Sequence, residues 1–277
     1  AKLPALHAGK IKREDVSLGQ RPKSAAPSLP SAGKGGLRFE KNAQGYVVET
    51  GPLALVKDQP GGRTFARISC RFAADRPPVE LGEYVAVLHT SDGPRNDWPH
   101  ADGVTGVRVV ERKPERLTLE IQSAHEGAAP WKALYRLEFE PGRTWFRAKC
   151  LWVENTGARA WRLGEYFHYL PSRIGGNAAD DEVATAAPDY WLQVGAWRDP
   201  ALGVLFGAIP PQDDRRAACQ FWKDPFGQHP DCRHRIDREL KPQERWTADP
   251  DEPWVLIFGL QETPGTPRPW MGLIDAW

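Results

Sequence analysis

The chain has 277 residues, 40% hydrophobic and 26% charged, with a formal net charge of +1. That apolar content supports a sizeable packed core and excludes a disordered chain, and there is no run of about 18 apolar residues to cross a membrane as a helix. Pro 26, Gly 26 and Trp 12 against a single Met describe many turns and few helices, so the expected class is all-β, a large antiparallel β-sandwich.

Residues 1–36 hold seven Lys or Arg and two acids. Their Lys, Pro, Ser, Ala and Gly content reads as a basic arm or linker. The remaining residues, 37–277, carry the balancing negative charge and are expected to form one domain with no nucleic-acid surface. The start at Ala1 without Met fits a mature secreted or periplasmic protein, or a piece excised from a longer chain.

Runs rich in β-branched and aromatic residues, broken by turn residues, then follow at short intervals. They are expected at Tyr46 to Glu49, Leu53 to Lys57, Thr64 to Phe72, Tyr84 to His89, Val107 to Glu111 and Leu117 to Gln122. Trp131 to Glu140 and Thr144 to Val153 come next, joined at Pro141-Gly142 in a tight hairpin. After Trp161 to Leu170 the series continues with Tyr190 to Trp197, Leu202 to Ile209, Ala217 to Trp222, Arg235 to Leu240 and Trp254 to Gln261. About fourteen antiparallel strands without an internal repeat make one sandwich.

The four cysteines form no CxxC pair. Cys70 and Cys150 lie inside strand-like runs and read as small buried hydrophobes. Cys219 and Cys232, in a polar region, are the disulfide candidates.

The segment from Trp145 to Tyr169 carries most of the chemistry. Phe146, Ala148, Cys150 and Trp152 alternate with Trp145, Arg147 and Lys149, and Asn155-Thr156-Gly157 supplies a turn, so the two strands read as a hairpin. Two registers compete. One sets Phe146 against Phe167, Cys150 against Leu163 and Trp152 against Trp161, and puts Trp145, Arg147, Tyr166 and His168 together on the other face. The second pairs Lys149 with Glu165 and Arg147 with Phe167. The first is preferred because it matches apolar with apolar on the buried side.

Within GEYFHYLPSR, alternation sends Tyr166 and His168 to one face and Glu165, Phe167 and Tyr169 to the other, with Arg173 just past Pro171. The bland reading is a Tyr/His network satisfying its own hydrogen bonds at the core edge. A second constellation, NDWPHADG, displays Trp98 beside His100, Asp97 and Asp102 in a Pro/Gly loop. Trp98 there suits stacking on a sugar ring, while the two acids suit turn hydrogen bonds. In FWKDPFGQHPDCRHR, Trp222 and Lys223 suit a sugar platform and an anion contact. His229 and His234 would be the ligands if a metal ion bound, although no known ligand spacing is matched. No other cofactor is expected.

The succession ETGPLALV, YRLEFEPGRTWFRAKCLWVENTG and WRLGEYFHY resembles the β-sandwich domains of the galactose mutarotase-like superfamily over roughly residues 45 to 175. That superfamily includes aldose epimerases and the sandwich domains of many polysaccharide lyases. The resemblance implies a concave sheet that binds saccharides. With it, the leading expectation is lyase chemistry on an acidic poly- or oligosaccharide. Arg173 with His100 or Arg147 would hold the uronate carboxylate, and Tyr166 or His168 would move the proton. Trp98, Trp145, Tyr169, Trp222 and Lys223 would bind the sugar. The alternatives are a noncatalytic carbohydrate-binding module, a glycoside hydrolase, and an epimerase using His168 and Glu165, which alternation sets on opposite faces.

Overall fold

The computed structural model describes residues 36–43, 45–58, 64–91, 96–99, 101–184, 194–211, 216–224, 227–252, 254–263, 269–270 and 273, without the side chains at 96, 220–224 and 227–230. The arm up to residue 35 lies outside the described residues. In chain order the strands are β1 (Arg38–Lys41), β2 (Tyr46–Glu49), β3 (Leu53–Lys57), β4 (Thr64–Cys70), β5 (Val79–Ser91), β6 (Asn96–Asp97), β7 (Gly103–Lys113), β8 (Arg116–His125) and β9 (Trp131–Phe139). They continue with β10 (Trp145–Asn155), β11 (Trp161–Tyr169), β12 (Glu182–Val183), β13 (Gly195–Asp199), β14 (Val204–Ile209), β15 (Ala217–Asp224), β16 (Gly227–Leu240), β17 (Arg245–Thr247) and β18 (Val255–Gln261). Among the described residues no helix is long and apolar enough to cross a membrane.

Two antiparallel sheets result. The first runs β1-β2-β3-β4-β5-β11-β16-β15, with β6 on β5, and the second runs β12-β13-β14-β18-β10-β9-β8-β7, with β17 on β10. Inward residues alternate along each strand, as the period-2 pattern requires. Leu55, Phe65, Tyr84, Leu88 and Leu163 of the first sheet share one core with Leu119, Tyr135, Phe146, Phe206 and Ile257 of the second. Aromatic pairs bridge the layers: Phe65 meets Tyr135 edge-on at 5.2 Å and Tyr84 meets Phe146 at 5.9 Å. Each such pair contributes about 1 kcal/mol beyond its buried area.

The Pro141-Gly142 hairpin forms as expected, with Gly142 at φ 74 joining β9 to β10. The expected hairpin between β10 and β11 does not. β10 pairs with β9, β17 and β18, whereas β11 pairs with β5 and β16 in the opposite sheet. Both proposed registers are therefore replaced, and the Asn155-Thr156-Gly157 turn is a crossover between layers. Asn155 explains the crossover. Fully buried, its Nδ2 donates to the carbonyls of Arg159 at 2.8 Å and Leu240 at 2.9 Å, while its Oδ1 accepts from Gly157 N. Its side chain thus spends its hydrogen bonds on holding an arch rather than closing a two-strand turn.

All four cysteines are free thiols. Cys219 and Cys232 nevertheless stand directly opposite each other on β15 and β16, with the two thiols hydrogen-bonded and the buried Cys232 thiol pushed up by burial and then by Cys219. Exchange with oxidised glutathione is expected to link this pair, releasing two reduced glutathiones, and to leave Cys70 and Cys150 reduced. Peptide mapping without reductant checks it, and a Cys70–Cys150 link or four free thiols would contradict it.

Candidate functional site

The alternation of β11 was read correctly, but the open face is the other one. Tyr166 and His168 point into the core with no exposure. The Tyr84 hydroxyl hydrogen-bonds His168 Nδ1 at 2.6 Å, and the Tyr166 hydroxyl contacts His234 Nδ1 at 2.7 Å. Glu252 Oε1 lies 3.0 Å from the same nitrogen of His234. Burial, then the neighbouring His234, drives the His168 pKa down to about 3, and burial followed by Glu252 raises Tyr166 well above the usual phenol range. His168 is a neutral core histidine, bonded to Tyr84 through Nδ1, while its Nε2 is buried with no hydrogen-bond partner among the described residues.

The other residues expected beside them are dispersed. Trp145 is 4% exposed on the outer face of the second sheet, packed with Leu205, Phe258 and Trp270. Arg147 shares that sheet, lies over the Trp145 ring and pairs with Glu140. Arg173 is exposed beyond β11, where its N–H donates to Leu81 O at 3.0 Å, near the start of β5 and roughly 26 Å along the strand from His89. His100 and the side chains of Trp222, Lys223 and His229 lie outside the described residues. His234 is 2% exposed and faces Tyr166 and Glu252, so the expected pairing of His229 and His234 finds one member turned into the core.

The outward face of β11 forms a groove of about 360 Å³ lined by His89, Trp98, Gly164, Glu165, Phe167, Arg233, Arg235 and Asp237. Strand register builds it in rows across β5, β11 and β16. His89, Glu165 and Arg235 occupy one row, Val87, Phe167 and Arg233 the next, and Val85, Tyr169 and Asp231 the third. Val85, Val87, Phe167 and Tyr169 form a small apolar cluster of their own. Tyr169, named as a sugar contact from the sequence, thus belongs to this face, although it is buried in that cluster.

Two local devices shape the groove. A bulge at Gly164 separates Leu163 from Glu165, and a side chain there would put its Cβ 2.4 Å from His89 Nδ1, so glycine is what lets the imidazole lie against β11. The loop after β5 folds back through β6, with Thr90 opposite Asp97, and Leu88 N donates to Pro99 O at 3.2 Å. This fixes Trp98 over His89, rings stacked at 4.9 Å and 15°, with 48% of Trp98 exposed. Asp97 accepts from Trp98 N, a local contact of the kind expected, whereas Asp102 accepts from Glu126 N, 24 residues away, and so ties the loop to the end of β8 instead of making a turn contact.

Charge in the groove is paired. Arg233 meets Glu165 at 3.1 Å, and Asp237 is held by Arg162 at 2.6 Å and Arg235 at 3.4 Å. The hydrogen bond from Arg162 outweighs the opposing effect of desolvation and holds the Asp237 carboxyl below its usual range. His89 Nε2 is buried without a hydrogen-bond partner among the described residues. An imidazole opposite a carboxylate, beside guanidinium donors and an open indole, offers proton transfer, planar polar recognition and ring stacking in one place. Sequence reasoning named Trp98 but missed His89, Arg233 and Arg235. The signal was the alternation Cys232, Arg233, His234, Arg235, which sends two arginines to one face.

No family model matches the chain, and no curated protein matches it. Its fold is similar to that of a glycoside hydrolase family 97 enzyme in complex with acarbose from Pseudoalteromonas sp. strain K8, at 10% identity and a TM-score of 0.43, over 81% of this chain and 36% of that one. It is also similar to the α-N-acetylgalactosaminidase NagBb of Bifidobacterium bifidum in its GalNAc complex, at 10% identity and a TM-score of 0.44, over 78% of this chain and 36% of that one. The chain thus spans about a third of the length of these structures. The molecule itself is an antiparallel β-sandwich with an aromatic, charge-lined groove on the outer face of one sheet.

Proposed function

We propose that the chain is a carbohydrate-active protein and that the groove over β5, β11 and β16 is where it holds its saccharide. The observation that carries this is the half-exposed Trp98 ring, fixed above the row His89, Glu165, Arg235. A pyranose presents an apolar face to an indole and a rim of hydroxyls to polar side chains. In this arrangement Trp98 stacks on the ring. Arg235 and Arg233 meet its oxygens, a uronate carboxylate included, and His89 with Glu165 forms the acid–base pair. Elimination from a uronate would use His89 as the base.

A second reading is glycoside hydrolysis, favoured by the presence of two carboxylates, Glu165 and Asp237, in the same groove. One experiment separates the readings. The protein is incubated with uronate-containing and neutral polysaccharides and followed by ultraviolet absorbance of unsaturated product, by reducing ends, and by retention on the polymer. New absorbance indicates elimination, reducing ends alone indicate hydrolysis, and retention alone indicates a binding module. A chain that neither retains nor alters any of them contradicts the proposal.

A further inference from the structure

A second cluster of ionisable groups lies away from the groove, at the β12 end of the other sheet. Asp180 and Asp181 immediately precede β12, and Asp199 ends β13, where Glu182 pairs with Arg198 and Val183 with Trp197. The register therefore brings Asp181 and Asp199 to neighbouring positions. One carboxylate oxygen from each of the three aspartates lies within 4.8 Å of the others. Asp181 is 4% and Asp199 3% exposed, while Asp180 faces solvent.

Each buried carboxylate is held by protein donors through one oxygen. Asp181 Oδ2 accepts from Ser172 Oγ at 2.8 Å and Ile174 N at 3.2 Å. Asp199 Oδ1 accepts from Ala201 N at 2.8 Å and Leu202 N at 2.9 Å. The second oxygen of Asp181, Oδ1, is buried and has no hydrogen-bond partner among the described residues. Among the described residues no Lys, Arg or His forms an ion pair with any of the three; the adjacent Arg198 is taken by Glu182 and Glu262.

Like charges brought together and partly desolvated are unfavourable unless an opposite charge joins them. A hard divalent cation supplies that charge, and the oxygens around one calcium ion, at about 2.3–2.6 Å, span no more than about 5 Å. The hydrogen bonds on Asp181 Oδ2 and Asp199 Oδ1 then serve to orient ligands. We propose that Asp180, Asp181 and Asp199 form a calcium site, with the solvent-facing Asp180 completing a partly hydrated shell.

The test uses the full chain, stripped with EDTA, exchanged into chelator-free buffer and titrated with CaCl2 or MgCl2 by calorimetry, with the thermal midpoint measured in parallel. One calcium should bind per chain, more tightly than magnesium, and the midpoint should climb with calcium concentration. Asp180→Asn, on an exposed side chain, should fold normally and bind calcium at least tenfold more weakly. Asp199→Asn should lose binding further. Absence of saturable calcium binding to the unaltered chain would overturn the proposal, as would tighter binding of magnesium or an Asp180→Asn variant that binds calcium as tightly as the unaltered chain.

Discussion

Replacing Glu165 by Gln, or His89 by Ala, is expected to lower turnover of the saccharide substrate by about a hundredfold or more, roughly 3 kcal/mol of transition-state stabilisation. Both side chains sit at one row of the sheet, and both line the groove and are only partly buried. Glu165 holds Arg233 in a partly exposed ion pair, whose loss costs only about 1 kcal/mol. The thermal midpoint should therefore move little. Trp98→Ala should act mainly on binding, raising KM or abolishing retention on polymer, because the indole contacts only His89 among the aromatic side chains of the groove. Steady-state kinetics with a denaturation curve for each variant check this, and a Glu165→Gln variant with normal turnover would contradict the assignment.

His168 should behave in the opposite way. It has no exposure, and its ring is bonded to Tyr84 and flanked by Tyr135 and Tyr166. His168→Gln should cost about 2–4 kcal/mol of stability at neutral pH, from lost packing and a disturbed hydrogen bond. Turnover per folded molecule should be retained. The pH dependence follows from a folded pKa of about 3 against about 6.5 in the unfolded chain. Between those values the unfolded state binds the proton and the folded state excludes it, so stability is fully present above about pH 6.5 and falls as the pH drops toward 3. From pH 6.5 to 4.5 this single group removes about 2 kcal/mol. Urea denaturation at several pH values should show that slope in the unaltered chain and a shallower one in His168→Gln. Equal slopes would place the titration elsewhere.

Most of the strands were legible because alternation is a local property. The runs at 46–49, 53–57, 117–122 and 131–140 correspond to β2, β3, β8 and β9, and each carries its own apolar face and turn residues. The short strands β6, β12 and β17 were not legible, since two or three residues hold no period, and β1 has a polar, mostly exposed pattern. The arch at Asn155 was misread for a physical reason. Asn-Thr-Gly fits a tight turn, and only the distant Leu240 carbonyl, bonded to the Asn155 side chain, shows that the chain crosses between layers.

The site was half legible. Alternation in WRLGEYFHY correctly separated Tyr166 and His168 from Glu165, Phe167 and Tyr169, but both sets mix polar and aromatic residues, and a Tyr/His set whose hydroxyls bond imidazole nitrogens can be buried whole. Which set is open depends on β5 and β16, which lie far away in sequence. Trp98 was recognisable because a displayed Trp in a polar loop has no structural need to be there. His89 and Arg235 became neighbours of Glu165 only through pairing that no local pattern encodes.

The central claim, that the saccharide lies on the outer face of the first sheet, is tested most directly at the indole N–H of Trp98. In an NMR titration with the oligosaccharide that the polysaccharide panel selects, that resonance, assigned by its absence in Trp98→Phe, should shift in a saturable way. The resonance of Trp145, packed on the outer face of the other sheet, should stay in place. Perturbation of Trp145 with Trp98 unchanged would contradict the account and move the binding surface to the second sheet.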